Sequence, residues 1–215
     1  MNAPDRYLAS AEYIDSGHPA VQTFAAERAK GDTGLELAVS LYYAVRDLVR
    51  YNPFLDFTRP SAFRASDCLA AGEGFCIGKA SLLAAVARAA GIPSRIGFAD
   101  VKNHLTTPRL YEFMGRDEFI YHGFAEMLIE GRWVKATPAF NLALCEKFRV
   151  KPLEFDGRND SIFHPFDADE RRHMEYLRDR GSFEDVPVDE IRAAFREYYP
   201  RLYALGEEAS RESFG

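Results

Sequence analysis

The stretch from Ala70 to Phe98, AAGEGFCIGKASLLAAVARAAGIPSRIGF, constrains this chain more than any other. Ala and Leu dominate after Cys76; they keep most of their side-chain freedom in a helix, and their small or regular shapes suit close packing against other elements. The helix is expected to start at or just before Cys76 and to run to about Ala90, where Gly91-Ile92-Pro93 supplies a stop. SRIGFAD then reads as a strand. The chain of 215 residues, 47% of them apolar, is long enough to bury a core around such a helix without disulfide staples.

Other elements follow from periodicity. In DTGLELAVSLYYAVRDLVRYNP, Thr33 and Glu36 fit a capping box, and Ala38, Leu41, Tyr42, Val45, Leu48 and Val49 share one face. Asn52-Pro53 ends that helix, and a polar, irregular segment is expected up to Gly74. FIYHGFAEMLIE-GR-WVKATPAF reads as a hairpin, with His122, Phe124, Glu126 and Leu128 on one face. A two-residue turn at Glu130-Gly131 would pair Glu126 with Lys135 and set His122 diagonal to Thr137. The first thirty residues are expected to form an irregular arm or a short helix. After Asn141 the pattern weakens into acidic, turn-rich and aromatic sequence, and VDEIRAAFREYY reads as a terminal helix. With no internal repeat, residues 1–215 are read as a single domain: a core over 33–141 and an extension over 142–215 packed on it.

Charge and composition exclude several classes. A net charge of -6 and a pI near 5.5 argue against nucleic acid as a partner. No apolar run approaches membrane-spanning length, and no signal peptide is visible, so the expectation is a cytoplasmic protein with no membrane partner. Three cysteines without regular spacing make no disulfide framework. GEGFCIG lacks the spacing of a dinucleotide loop, and His18, His104, His164 and His173 form no metal-ligand pattern. No cofactor or metal is expected.

The thiol at the helix start carries chemistry. A helix N-terminus offers unpaired N–H groups and a positive dipole end, both favouring a thiolate and able to receive an oxyanion. An imidazolium nearby would lower the thiol pKa further. Gly72 and Gly74 would let backbone approach closely and leave space for substrate. A cysteine in such a place is also often a packed core residue. Cys68 and Cys145 lack this setting and are read as structural.

The order of features resembles the transglutaminase-like superfamily, in a small, bacterial-type form. Cys76 opens a helix, GIPSRIGF follows it, and a histidine enters a strand in YHGFAEMLIEGRWVKATP before a Trp-containing partner strand. The likeness covers about Asp67 to Asn141. It implies a papain-like α+β fold with the nucleophile's helix packed on an antiparallel sheet. It also implies acyl chemistry at amide bonds through a thioester, using Cys, His and usually Asp. By that resemblance Cys76 matches the nucleophile and His122 the general base and acid. The third position departs from the family: WVKATPAFN places Thr137 before Pro138, where Asp-Pro is usual. Thr137 could accept a hydrogen bond from the imidazole, though it cannot neutralise an imidazolium. It could also be a plain β-branched strand residue, with Asn141 or an acidic-tail residue such as Asp156 in the orienting role. The Cys76 N–H is the natural first oxyanion donor. Tyr51 or Asn52 could be the second, or both could be ordinary helix-end residues. Trp133 is read as sheet packing.

The function expected is therefore a cysteine-dependent hydrolase or acyltransferase acting on amide bonds of a peptide or protein substrate through a thioester on Cys76. The alternatives are a catalytically weak or inactive binding module that keeps the cleft, and a scaffold in which Cys76 is merely buried.

Overall fold

The computed structural model of the chain describes residues 5–104, 108–162 and 174–201. In chain order the elements are α1 (Pro19–Arg28), α2 (Gly34–Leu48), β1 (Arg50–Tyr51), α3 (Ala65–Ala71), β2 (Glu73–Gly74), α4 (Cys76–Ala89), β3 (Ser94–Asn103), α5 (Pro108–Met114), β4 (Glu118–Ile129), β5 (Arg132–Ala136), α6 (Leu142–Phe148), β6 (Met174–Phe183) and α7 (Val188–Tyr198). Helices and an antiparallel four-stranded sheet, ordered β5-β4-β3-β6, make a mixed α+β fold.

At the centre is α4. Every residue from Ile77 to Arg88 is buried, which is what a helix of small apolar residues achieves when elements surround it. The sheet covers one side through β3 and β4, and α1, α2 and α3 cover the others. Glycines permit the closest approaches. A Cβ on Gly78 would stand 2.7 Å from the Ala62 carbonyl oxygen, and one on Gly123 of β4 would stand 3.0 Å from the Ile77 Cα.

The two basic side chains embedded in this helix are tethered. Lys79 Nζ donates to the carbonyls of Arg46 (2.8 Å) and Val49 (2.5 Å), which the end of α2 leaves without helical partners. The Arg88 guanidinium donates to the carbonyls of Ser94, Ala9 and Glu184, tying the helix's far end to three separate segments.

The α2 capping box forms as its sequence suggests: Thr33 Oγ1 accepts from the Glu36 N–H, and Glu36 Oε2 accepts from the Thr33 N–H. Ala38, Leu41, Tyr42, Val45 and Val49 are buried, whereas Leu48 in the last turn is 54% exposed and leaves the expected face. The hairpin also has the predicted register, with Glu126 paired to Lys135. Glu130 and Gly131 both have positive φ (49° and 79°), as a tight two-residue hairpin turn requires.

Three expectations need correction. The segment before Gly74 is not irregular throughout, since it holds α3, and Gly72 (φ 63°) is the left-handed residue that ends it. Gly74 does not leave room for substrate: a Cβ there would meet Cys68 Sγ at 2.5 Å, so its task is packing. The weak pattern after Asn141 conceals β6, which pairs along β3 as a sheet edge.

Candidate active site

β1 and β2 pair in parallel, Arg50 with Glu73 and Tyr51 with Gly74. This short ladder, continued by the Asn52 N–H donating to the Gly74 carbonyl (2.9 Å), brings the chain leaving α2 beside the turn that leads into Cys76. Phe75 is the N-cap of α4 and gives no side-chain cap, so the first amides of the helix stay available. The N–H groups of Cys76, Ile77 and Gly123 favour the anionic form of the Cys76 thiol. Gly123 directly follows His122, so β4 meets the start of α4 at the residue next to the histidine.

Cys76, His122, Tyr51 and Asn103 all line one pocket, together with a largely apolar wall. His122 is 4% exposed. A β-bulge lies just before it. Ala99 pairs with His122 and Val101 with Phe119, so Ile120 and Tyr121 together oppose Asp100. Tyr121 takes a positive φ of 54° there. The bulge is braced: Asp100 Oδ1 accepts from the Tyr121 N–H (3.0 Å) and from Arg180 Nε (2.6 Å). The Arg180 guanidinium also lies 4.1 Å from the Tyr121 ring centroid, and the Tyr121 hydroxyl donates to Glu190 (2.5 Å). None of this bracing was read from sequence. Its only trace there was Arg178-Asp179-Arg180-Gly181 in a segment whose charges hide a strand.

The resting charge state of Cys76 differs from expectation. Part of the residue is reached from the pocket, yet protein atoms surround the sulfur, and burial pushes its thiol up to about 11. The three N–H groups pull the other way without reversing the shift. The helix start therefore presents a protonated thiol, not the depressed one that its dipole alone suggested. Burial also pushes the Tyr51 hydroxyl well above its ordinary value, so it remains a proton donor on the pocket wall.

The other sequence candidates separate cleanly. Thr137 is buried but is not among the residues lining the pocket. Its N–H donates to the Ser161 carbonyl (2.8 Å) and its hydroxyl to the Ile162 carbonyl (3.1 Å). Asn141 Oδ1 accepts from the Tyr51 N–H (3.1 Å), and Asp156 accepts from the N–H groups of Arg158 and Asn159 in its own loop. Asn52 donates to Glu73 and accepts from the Phe54 N–H. Of the two upstream donors considered, Tyr51 is the one that reaches the pocket.

Trp133 lies under the Arg95 guanidinium (4.2 Å) and against Tyr7, away from the pocket wall. Cys68 and Cys145 are buried. His18 caps α1 and His104 pairs with Glu175, while His164 and His173 lie outside the described residues. Among the described residues, no helix is long and apolar enough to cross a membrane, and no cluster of His, Cys, Asp and Glu could hold a metal ion.

A family model described as the transglutaminase-like superfamily matches residues 22–138, more than half of the chain. No curated protein matches. Among solved structures, a candidate cysteine protease from Cytophaga hutchinsonii is similar at 17% identity and a TM-score of 0.49, covering 85% of this chain and 54% of that one. A candidate protease from Parabacteroides distasonis is similar at 21% identity and a TM-score of 0.39, covering 62% of this chain and 25% of that one. The chain thus spans about half the length of the first and a quarter of the second.

Proposed function

The chain belongs to the transglutaminase-like superfamily, and from that premise we propose that it is a cysteine-dependent hydrolase or acyltransferase acting on amide bonds of peptide-like substrates. The observation that carries this reading is the meeting of α4 and β4: a Cβ on Gly123 would stand 3.0 Å from the Ile77 Cα, and the side chains of the preceding residues, Cys76 and His122, border one pocket.

In the proposed reaction, His122 takes the thiol proton as the sulfur adds to the amide carbonyl. General-base attack of this kind suits a thiol that rests protonated. The carbonyl oxygen becomes an oxyanion at the start of α4, where the Cys76 N–H can donate, with the Tyr51 hydroxyl as the second candidate donor. As the C–N bond breaks, the imidazolium returns its proton to the departing amine and an acyl thioester remains on Cys76. Water, deprotonated by His122, then releases the acid; an amine in its place would give acyl transfer. Thr137 is assigned a supporting role, holding the 161–162 segment against the end of β5. A cytoplasmic setting is part of the same proposal.

A binding module without turnover is the second reading. What favours it is the missing aspartate at Thr137, which leaves an imidazolium without a neutralising charge from that position. Trapping separates the two. Incubating the protein with peptide pools and quenching in acid should yield an acyl adduct on Cys76 by mass spectrometry, absent from Cys76→Ala. Peptide retention without any adduct or cleavage would favour the binding module.

A further inference from the structure

Resting on the thioester reading above, we infer that this pocket selects an uncharged, apolar acyl group, an aromatic or branched aliphatic side chain on the carbonyl side of the scissile amide. The pocket spans about 630 Å³ when the open solvent at its mouth is counted with it. Its wall is built by Phe57, Phe75, Leu110, Met114, Phe140 and Phe195, drawn from five separate parts of the chain. Among the described residues that line it, there is no Lys, Arg, Asp or Glu.

That wall sorts acyl groups by charge. The acyl half of the substrate is the half that stays bonded to sulfur after the amine leaves, so it must occupy this space through both steps. A cationic or anionic side chain entering it would lose water and meet no Lys, Arg, Asp or Glu among the described lining residues. An apolar one would displace water from hydrocarbon, the ordinary driving force for seating a ligand in a concave apolar site. The polar residues among the described lining are Cys76, His122 and Tyr51, which the proposed reaction uses, the uncharged Asn103, and Tyr199, whose hydroxyl accepts from the Ile120 N–H (2.8 Å) and donates to the Glu118 carbonyl (3.0 Å).

The approach to the pocket has the same character. Phe54, 38% exposed, adjoins the lining residue Pro53, and its ring packs at 5.0 Å on Phe113 of α5. Tyr111, 52% exposed, adjoins the lining residue Leu110. The apolar surface therefore continues outward along α5 and the 53–57 segment, where the Arg109 guanidinium lies 4.7 Å from the Phe54 ring centroid.

The test uses two readouts on the full chain. Binding of the N-acetyl amides of Phe, Leu, Lys and Glu to Cys76→Ala is followed by saturation-transfer NMR, and kcat/KM of wild type is measured on the corresponding N-acetyl aminoacyl coumarin amides. The Phe and Leu compounds should exceed the Lys and Glu compounds by roughly ten- to a hundredfold in both, the range that burying one apolar side chain supports. Met114→Asp should shift preference toward the Lys compound and Met114→Lys toward the Glu compound, an opposition that misfolding cannot imitate. Equal binding of all four amides, binding of none, or tighter binding of a charged one overturns the inference. Cys76-dependent turnover without an apolar preference would also overturn it while leaving the hydrolase reading intact. An apolar binding order with no turnover of any compound would instead sink the hydrolase reading and keep the pocket assignment.

Discussion

Cys76 combines the backbone surroundings of a thiolate with the burial of a core thiol, and burial dominates at rest. Alkylation by iodoacetamide, resolved on Cys76 by mass spectrometry, should accordingly be slow at pH 6–7 and rise toward pH 11. His122→Ala should leave that profile nearly unchanged yet reduce turnover by about 10²–10⁴-fold, since the imidazole acts only once substrate is bound. An alkylation plateau below pH 7 that vanishes in His122→Ala would mean a preformed ion pair and refute this account. Thr137 makes a separate prediction. Valine keeps its shape but removes the donor to Ile162, leaving that half-buried carbonyl short of a partner. Thr137→Val should cost about 1 kcal/mol in urea unfolding and lower kcat severalfold through the displaced 161–162 segment. Wild-type stability with a large loss of kcat would instead place the hydroxyl directly on the imidazole.

Elements were legible where local pattern and tertiary environment agree. The capping box announced α2, the glycine-proline stop announced the end of α4, and the alternating hairpin fixed the register of β4 and β5 because a slip would turn every side chain over. Cys76 and His122 were singled out from that same order of elements. β6 was not found: as an edge strand it keeps charged, exposed residues such as Arg178 and Asp179, and it follows β3 through two register shifts that no alternation reveals. Missing β6 also concealed Arg180 and hence the brace on the bulge beside His122. That brace is testable as an element. Asp100→Asn retains an acceptor for the Tyr121 N–H but loses the ion pair with Arg180, whereas Asp100→Leu loses both. Turnover should fall modestly in the first and tenfold or more in the second, with KM changing less than kcat, because the bulge sets the histidine and not the apolar wall. Equal kcat in Asp100→Leu and wild type would show that the bulge holds itself.

Across the whole molecule, α4 is suspended by its two buried basic side chains, Lys79 and Arg88, and the first makes stability depend on pH in a specific direction. Burial lowers Lys79 to about 7 from an ordinary value near 10.5, and a neutral amine still has the two N–H groups needed for the Arg46 and Val49 carbonyls. Between about pH 7 and 10.5 the unfolded chain holds a proton that the folded chain does not, so stability rises with pH through that window. The thiols act oppositely. Cys76 and Cys145 are pushed up to about 11 and Cys68 to about 12 from an ordinary 9, so above pH 9 the folded chain holds the extra protons and stability falls. The buried phenols of Tyr42, Tyr51 and Tyr199 are also raised and steepen the fall above pH 10. These groups together predict a maximum near pH 9, with a gain on the order of 2 kcal/mol between pH 7 and 9 from Lys79. Lys79→Met should abolish that rise while leaving the alkaline fall, and should compare best with wild type at pH 6, where the buried ammonium is most costly. Urea unfolding of both proteins at pH 6, 7.5 and 9 decides the matter: parallel pH slopes would show that Lys79 stays protonated throughout, held by the two carbonyls at the end of α2.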